Sequence, residues 1–449
     1  MKAFRTGSMF RGGAAAATGL AAVAALALTA VPDASAAPKR EVSRGVRIPA
    51  FYDPPARLPR QNGALVRTEP LPLALTLSTV DGPLPGRATR LMYRSTDATG
   101  RPVAVTGAYL EPTRPWRGRG PRPLVAMGAG TMGQGDQCAP SLALENPLTL
   151  QAETVSVGYE DLAVYRLLDQ GVAVVVTDYV GLGTTDRVHT YAERFDQGHA
   201  LLDAVRAAFR LPGTSLTAGS RVGLYGYSQG GGATASAAEL QRDYAPEIRL
   251  AGTYAGAPPA DLAQVIKGID GSALAGALGW SINGLVRNNP AIKPVLDANI
   301  NAKGRAALAD LSTMCVGDAI FGYAFARSEQ WTTGGKSLSA VIAAHPAVKK
   351  VLARERLGSL RPSGPVRLTT GVLDDIVPHA QARRLAVNWC AKGAKVTYQP
   401  VELPNLGDKL LTNHFAPLLT DQTAAVSWLT ARLNGKPAHS NCSALPDLP

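Results

Sequence analysis

Along the chain, apolar and polar positions fall into two alternating rhythms. Short, nearly continuous apolar runs at Leu124–Met127, Val172–Val176, Val222–Tyr225 and Leu250–Tyr254 each end in a Gly-rich turn. Between them lie stretches of helical length, Tyr159–Leu168 and Ala192–Phe209; in the second, Ala200, Ala204, Ala207 and Ala208 recur near helical spacing. Runs that are apolar on both faces, alternating with helices, predict a parallel α/β sheet. Upstream, extended stretches around Arg90–Ser95 and Val103–Leu110 flank Thr96-Asp97-Ala98-Thr99-Gly100, which has the composition of a hairpin turn. The Pro- and Arg-rich segment from Ala37 to about Pro70 reads as a surface wrap. After Tyr254 the strand rhythm stops for about 105 residues, Pro258 to Pro362, rich in Ala, Leu, Ile and Gly at helical spacing. It resumes with a strand at Val366–Thr370, a helix from His379 to Ala391, a strand at Val396–Val401 and a last helix from Pro417 to Leu433. The expected architecture is α/β, a mostly parallel sheet flanked by helices. Its core lies in two parts, 37–257 and 363–449, with a helical cap inserted at 258–362.

Residues 1–36 stand outside this pattern. Lys2, Arg5 and Arg11 precede the apolar stretch Ala14–Val31, Pro32 breaks it, and Ala34-Ser35-Ala36 offers a small-x-small cleavage site. This is the form of a signal peptide, without a twin Arg, and it predicts a secreted protein. No later stretch is long enough to span a bilayer, so no integral membrane span is expected after cleavage.

Composition narrows the classes. A chain of 449 residues with 46% apolar content fills a large core, which excludes disordered and fibrous proteins and small disulfide scaffolds. The net charge is +12, and removing Lys2, Arg5, Arg11 and Asp33 with the leader leaves +10. The basic residues are scattered, with no run interleaved with aromatics, which argues against nucleic acid and suits transient contact with a lipid surface. Cys138, Cys315, Cys390 and Cys442 all follow the leader, and four cysteines in an oxidising compartment predict two disulfides with three pairings open. There is no Cys-x-x-Cys and no His pair at ligand spacing, so neither metal nor organic cofactor is expected.

The chemistry centres on Gly226-Tyr227-Ser228-Gln229-Gly230. Gly-x-Ser-x-Gly alone is a weak signal, but here it lies between the strand Val222–Tyr225 and an Ala-rich helix from Gly231. Small residues two before and two after the serine let strand and helix approach at a strained elbow, which exposes the hydroxyl at a helix N-terminus. A nucleophilic serine needs a base and an orienting acid, following it in the order acid then His. Asp374 and Asp375 both close the Val366–Thr370 strand ahead of Pro378, which is expected to start a helix. Asp374 is favoured as the acid, with Asp375 left as a helix N-terminal charge. His414, between the last strand and the last helix, is favoured as the base over His439 in the tail. His379 is too close to the acid, and His189, His199 and His345 precede it. The oxyanion hole is expected from the N–H of Gln229 and that of Thr131 or Met132, on the Gly-rich loop after Leu124–Met127. Because a histidine base must be neutral, activity is expected to fall in mild acid. In the insertion, Leu274, Leu278, Trp280, Ile282, Leu285, Ile320 and Phe321 are expected mostly to form its own core, a few lining an acyl channel.

These residues resemble the secretory lipases of the fungal lipase A type and their actinobacterial relatives. The resemblance rests on Phe51-Tyr52, Tyr93-Arg94-Ser95-Thr96-Asp97, Gly130-Thr131 leading to Cys138-Ala139-Pro140-Ser141, Asp178-Tyr179 with Gly181-Leu182-Gly183, the Ser228 motif and the Asp374 to Pro378 segment. It implies an α/β-hydrolase with a helical cap or lid, acting on carboxylic esters including triacylglycerols, with a triad of Ser228, Asp374 and His414. It also implies a Cys138–Cys315 bridge, leaving Cys390–Cys442. Many bacterial members carry His where this chain has Ala129. The substrate is therefore expected to be a small-molecule or lipid ester. A short-chain esterase, and a peptidase or acyltransferase on the same triad, are the alternatives.

Overall fold

A computed structural model describes residues 42–449 except 80, 81, 85 and 152. The leader expected at 1–36 lies outside the described residues. The strands used below are β1 (Leu65–Leu71), β2 (Arg87–Thr96), β3 (Pro102–Glu111), β4 (Leu124–Gly128), β5 (Leu148–Gln151), β6 (Thr154–Val157), β7 (Ala173–Val180), β8 (Val222–Tyr227), β9 (Leu250–Gly256), β10 (Val366–Gly371) and β11 (Val396–Val401). The helices are α1 (Pro140–Glu145), α2 (Asp161–Asp169), α3 (Arg194–Arg210), α4 (Gln229–Tyr244), α5 (Leu262–Ile269), α6 (Ala277–Asn288), α7 (Lys293–Asn299), α8 (Ala302–Leu311), α9 (Val316–Tyr323), α10 (Leu338–Ala344), α11 (Pro346–Glu355), α12 (His379–Ala391) and α13 (Thr412–Leu433).

Nine strands form one sheet in the order β11-β10-β9-β8-β4-β7-β3-β2-β1. From β11 to β7 every neighbouring pair is parallel, while β7-β3, β3-β2 and β2-β1 are antiparallel. The parallel strands β4, β7 and β8 are buried along their whole length, which is why they read as continuous apolar runs. One face packs on α3 and α4 through Leu201, Val205 and Ala237; the other packs on α2 and α13 through Leu167, Val426 and Leu429. The hairpin around Asp97 forms as expected, its carboxylate accepting the N–H groups of Thr99 and Arg101.

Three local expectations change. Leu65–Leu71, read as part of a surface wrap, is the edge strand β1; its Arg67, Glu69 and Pro70 are what an edge tolerates, and they hide its strand character. Pro378 does not occupy the first helical position but precedes it, and α12 begins at His379. The last helix starts at Thr412, not Pro417, so Pro417 lies inside it. A proline reads as a helix start because it lacks the N–H that a first turn leaves unpaired, yet here the helix already runs for more than a turn before it.

Between β9 and β10 the insertion contributes α5 to α11. It has its own core around Leu278, Trp280, Leu308, Leu311 and Trp331, with the Trp280 indole N–H donating to the Leu311 carbonyl at 2.8 Å. Leu274 and Leu285 are buried as expected, whereas Phe321 is 82% exposed and is not core. Cys138 is bonded to Cys315 and Cys390 to Cys442. The first bridge crosses from the insertion to the segment after β4. It is reinforced by Gln134 N–H to Met314 O at 2.9 Å and Val316 N–H to Met132 O at 2.8 Å. Among the described residues, no helix is long and apolar enough to cross a membrane.

Candidate active site

The carboxyl ends of β4, β8 and β10 and the start of α13 meet at one edge of the sheet. Ser228 sits between β8 and α4 with φ 55° and ψ −122°, a conformation that costs a non-Gly residue and persists only when its surroundings impose it. The surroundings here are backbone: a Cβ on Gly226 would stand 2.3 Å from the Gly230 carbonyl oxygen, and one on Gly230 would stand 2.0 Å from that of Gly128. Only glycines permit this three-way approach of β4, β8 and α4. The elbow leaves the Ser228 side chain partly open to solvent.

His414 occupies the first turn of α13 and is buried. Its Nδ1 lies 2.7 Å from Asp374 Oδ2 and its Nε2 lies 2.9 Å from Ser228 Oγ. A carboxylate only accepts, so Nδ1 carries the proton, and the Nε2 lone pair is left to accept the serine hydroxyl. The other Asp374 oxygen accepts the N–H groups of Ile376 and Val377 at 3.1 and 2.9 Å, which aims the carboxylate. Asp375, the competing acid, points away and accepts the Lys409 N–H. It thereby ties down the 405–411 loop that delivers His414, in which Lys409 and Leu411 have φ of 61° and 75°. His439 is far from this work: its carbonyl accepts from Thr397 beside β11. The hydroxyl of Tyr227, in the motif itself, donates to the His414 carbonyl at 2.8 Å, a positioning contact that the motif gave no reason to single out.

The N–H of Gln229 is the first of α4 and has no intrahelical partner, as for any first helical residue. Facing it is the loop after β4. The Gly130 N–H is engaged by the buried Glu160 carboxylate at 2.7 Å. Among the described residues no acceptor is bonded to the N–H groups of Gln229, Thr131 or Met132. The loop is held from several sides: Tyr159 OH donates to Thr131 O at 3.1 Å, Tyr179 OH to Ala129 O at 2.6 Å, and the hydroxyls of Tyr191 and Thr131 pair at 2.7 Å. Ala129 packs its methyl against Tyr179 and Ala233. Burial pushes Glu160 up to about 7 and His189 down to about 4. The sequence gives no reason to single out Glu160 and offers His189 only as a base that precedes the acid, because their partners are mostly backbone groups and side chains distant along the chain.

Residues 147–441, about two thirds of the chain, match the family model described as Secretory lipase. A Mycobacterium tuberculosis protein named as a probable inactive lipase is 29% identical over 89% of this chain and 86% of its own. The secreted triacylglycerol lipase LIP3 of Malassezia restricta is 25% identical over 86% of this chain and 79% of its own. Among solved structures, that of Candida antarctica lipase A in its closed state superposes with a TM-score of 0.72 at 20% identity, covering 88% of each chain, and shows the shared α/β-hydrolase fold.

Proposed function

We propose, from the premise that this chain belongs to the secretory lipase family, that it is a carboxylic ester hydrolase cleaving acyl esters through a serine acyl-enzyme. Ser228 Oγ attacks the acyl carbonyl while His414 Nε2 takes its proton. Asp374 holds the imidazole in the required tautomer and stabilises the cation that forms. The N–H of Gln229 and that of Thr131 or Met132 receive the oxyanion. His414 then protonates the leaving alcohol, and water repeats the sequence to release the acid. The observation that carries this reading is the hydrogen-bond chain from Asp374 through His414 to Ser228 at a strained elbow. A relative named as a probable inactive lipase raises the opposite reading, a fold kept without turnover. Three side chains already at hydrogen-bonding distance favour turnover.

Two features support a lipid ester as substrate. An apolar cavity of about 80 Å³ lies within the inserted helices, walled by residues such as Leu278, Ile282, Leu285, Leu296 and Val341; none of the triad residues lines it, and its size holds only a short apolar segment. Larger grooves sit elsewhere; one of about 690 Å³ runs along β1 and β2, at the antiparallel edge of the sheet away from Ser228. The ribbon of β5 and β6 is inside out. Leu148, Leu150 and Val157 are exposed while Thr154 and Ser156 are buried, and Phe321 of α9 lies exposed nearby, where Gly317 packs on Val155. This apolar face is read as the contact with lipid aggregates. The paired cysteines fit a secreted protein.

The test is turnover of p-nitrophenyl esters from C2 to C16, beside a triolein emulsion and an aminoacyl amide, with Ser228→Ala as control. Hydrolysis of long-chain esters and emulsion, abolished in the control, is the expected result. A C4 optimum without emulsion turnover leaves a short-chain esterase, and turnover of the amide alone overturns the ester reading.

A further inference from the structure

The oxyanion hole expected above is built from two pieces of chain that are distant in sequence, the loop 129–134 and the first residue of α4. Both are fastened to a third piece, the segment 179–191 that leaves β7. Tyr179 OH reaches Ala129 O, the His189 carbonyl accepts from Gln134 Nε2 at 2.7 Å, and Tyr191 OH meets Thr131 Oγ1. Those contacts hold the loop. The third piece reaches the other half through a side chain: His189 Nε2 lies 3.1 Å from Gln229 Nε2.

The tautomer follows from the partners. His189 Nδ1 lies 2.9 Å from the Val180 carbonyl, which only accepts, so Nδ1 carries the proton. Nε2 then presents a lone pair, and the Gln229 amide donates to it. The ring is stacked on Tyr179, with centroids 5.9 Å apart and planes 18° apart, and is edge-on to Tyr191, so it has little freedom to turn.

We propose that His189 is a positioning residue for ester hydrolysis. As a neutral acceptor for the Gln229 side chain, it sets the first turn of α4 against the loop 129–134 and so fixes the spacing of the two oxyanion donors. This rests on the triad reading above. Ground-state substrate gains little from donors aimed at a charge that has not formed, so the loss on disturbing them falls on kcat. Burial without an acidic partner keeps the ring neutral through the working range.

Two substitutions separate the two nitrogens. His189→Asn retains an amide that can donate to Val180 O and removes the acceptor for Gln229. His189→Gln places an acceptor near the Nε2 position and gives up the Val180 contact. With p-nitrophenyl butyrate, His189→Asn is expected to lower kcat about 10- to 100-fold at nearly constant KM, since small misplacements at a reacting centre cost up to about 100-fold. His189→Gln is expected to recover most of that loss. Gln229→Met keeps the backbone N–H and removes only the tether. It should match His189→Asn, and the double variant should lose nothing further. It also serves if His189→Asn does not fold. A folded His189→Asn or Gln229→Met with unchanged kcat overturns the proposal, as does a His189→Gln that is no better than His189→Asn. An inert wild type, also unlabelled by a fluorophosphonate at Ser228, would instead bring down the hydrolase reading on which the proposal stands.

Discussion

Asp374 and Asp375 are chain neighbours with the same charge, and their surroundings divide the work between them. Asp374 spends one oxygen on two backbone N–H groups and the other on His414, whereas Asp375 secures the Lys409 turn. Asp374→Asn should therefore reduce kcat about 10⁴-fold, by turning the imidazole to the wrong tautomer, with the fold intact. Asp375→Asn should cost activity less than about 10-fold and show mainly as a lower thermal midpoint. Stopped assays and a melting curve on the same samples check both. Glu160 and His189, on either side of the oxyanion loop, make opposite contributions to stability against pH. Glu160 is raised to about 7 from 4.5, so the stability present below pH 4.5 is lost as pH rises through 7. His189 is lowered from 6.5 to about 4, so the stability present above pH 6.5 is lost as pH falls toward 4. Each amounts to about 3 kcal/mol at full extent, since one pKa unit is about 1.4 kcal/mol. The two slopes cancel in the window they share. In Glu160→Gln the midpoint relative to wild type should therefore climb between pH 4.5 and 7, and a flat difference curve would refute the burial argument.

The elements that hold the site differ in how visible they are from the chain. The strand–elbow–helix around Ser228 was readable in full, because its glycines and its apolar strand are local signals. The sequence places His414 between the last strand and the last helix, as if on a loop. It stands on the first turn of α13, and Pro417 concealed that turn. The ties that set the oxyanion loop were unreadable, since a hydrogen bond such as Gly130 to Glu160 leaves no periodicity or motif. The Cys138–Cys315 bridge and the flanking backbone bonds weld that loop to the start of α9. Replacing both cysteines by Ser should cost about 2–5 kcal/mol of stability and also lower kcat, because the loop is proposed to supply one of the two oxyanion donors. The same change at Cys390 and Cys442, which staple α12 to the tail, should lower the melting temperature and leave kcat alone. Equal kcat losses for the two pairs would contradict the weld. In the elbow, Gly230→Ala forces a Cβ onto the Gly128 carbonyl and should destabilise by about 1–3 kcal/mol, read by denaturant titration.

For the molecule as a whole, the alternation of strands and helices is enough to lay out a mostly parallel sheet flanked by helices. What the pattern could not convey was the direction in which apolar residues face. Leu148, Leu150, Val157 and Phe321 count as core by type and lie on the surface by structure. Replacing these four with Ser should leave turnover of a soluble C4 ester within about 2-fold while reducing binding to a triolein emulsion, measured by flotation. Undiminished flotation would remove the ribbon from the lipid-binding account.

The insertion between β9 and β10 has one more consequence. It divides the proposed triad, with Ser228 before it and Asp374 and His414 after it, and the irregular connection from Arg356 to Pro365 joins α11 to β10. A nick there would leave Cys138 with Cys315 in one fragment and Cys390 with Cys442 in the other. Neither fragment would hold a complete site. The two would share the parallel pairing of Thr253–Gly256 with Val366–Thr369. Hydrolysis would then report their reassembly, and the chain would serve as its own complementation sensor.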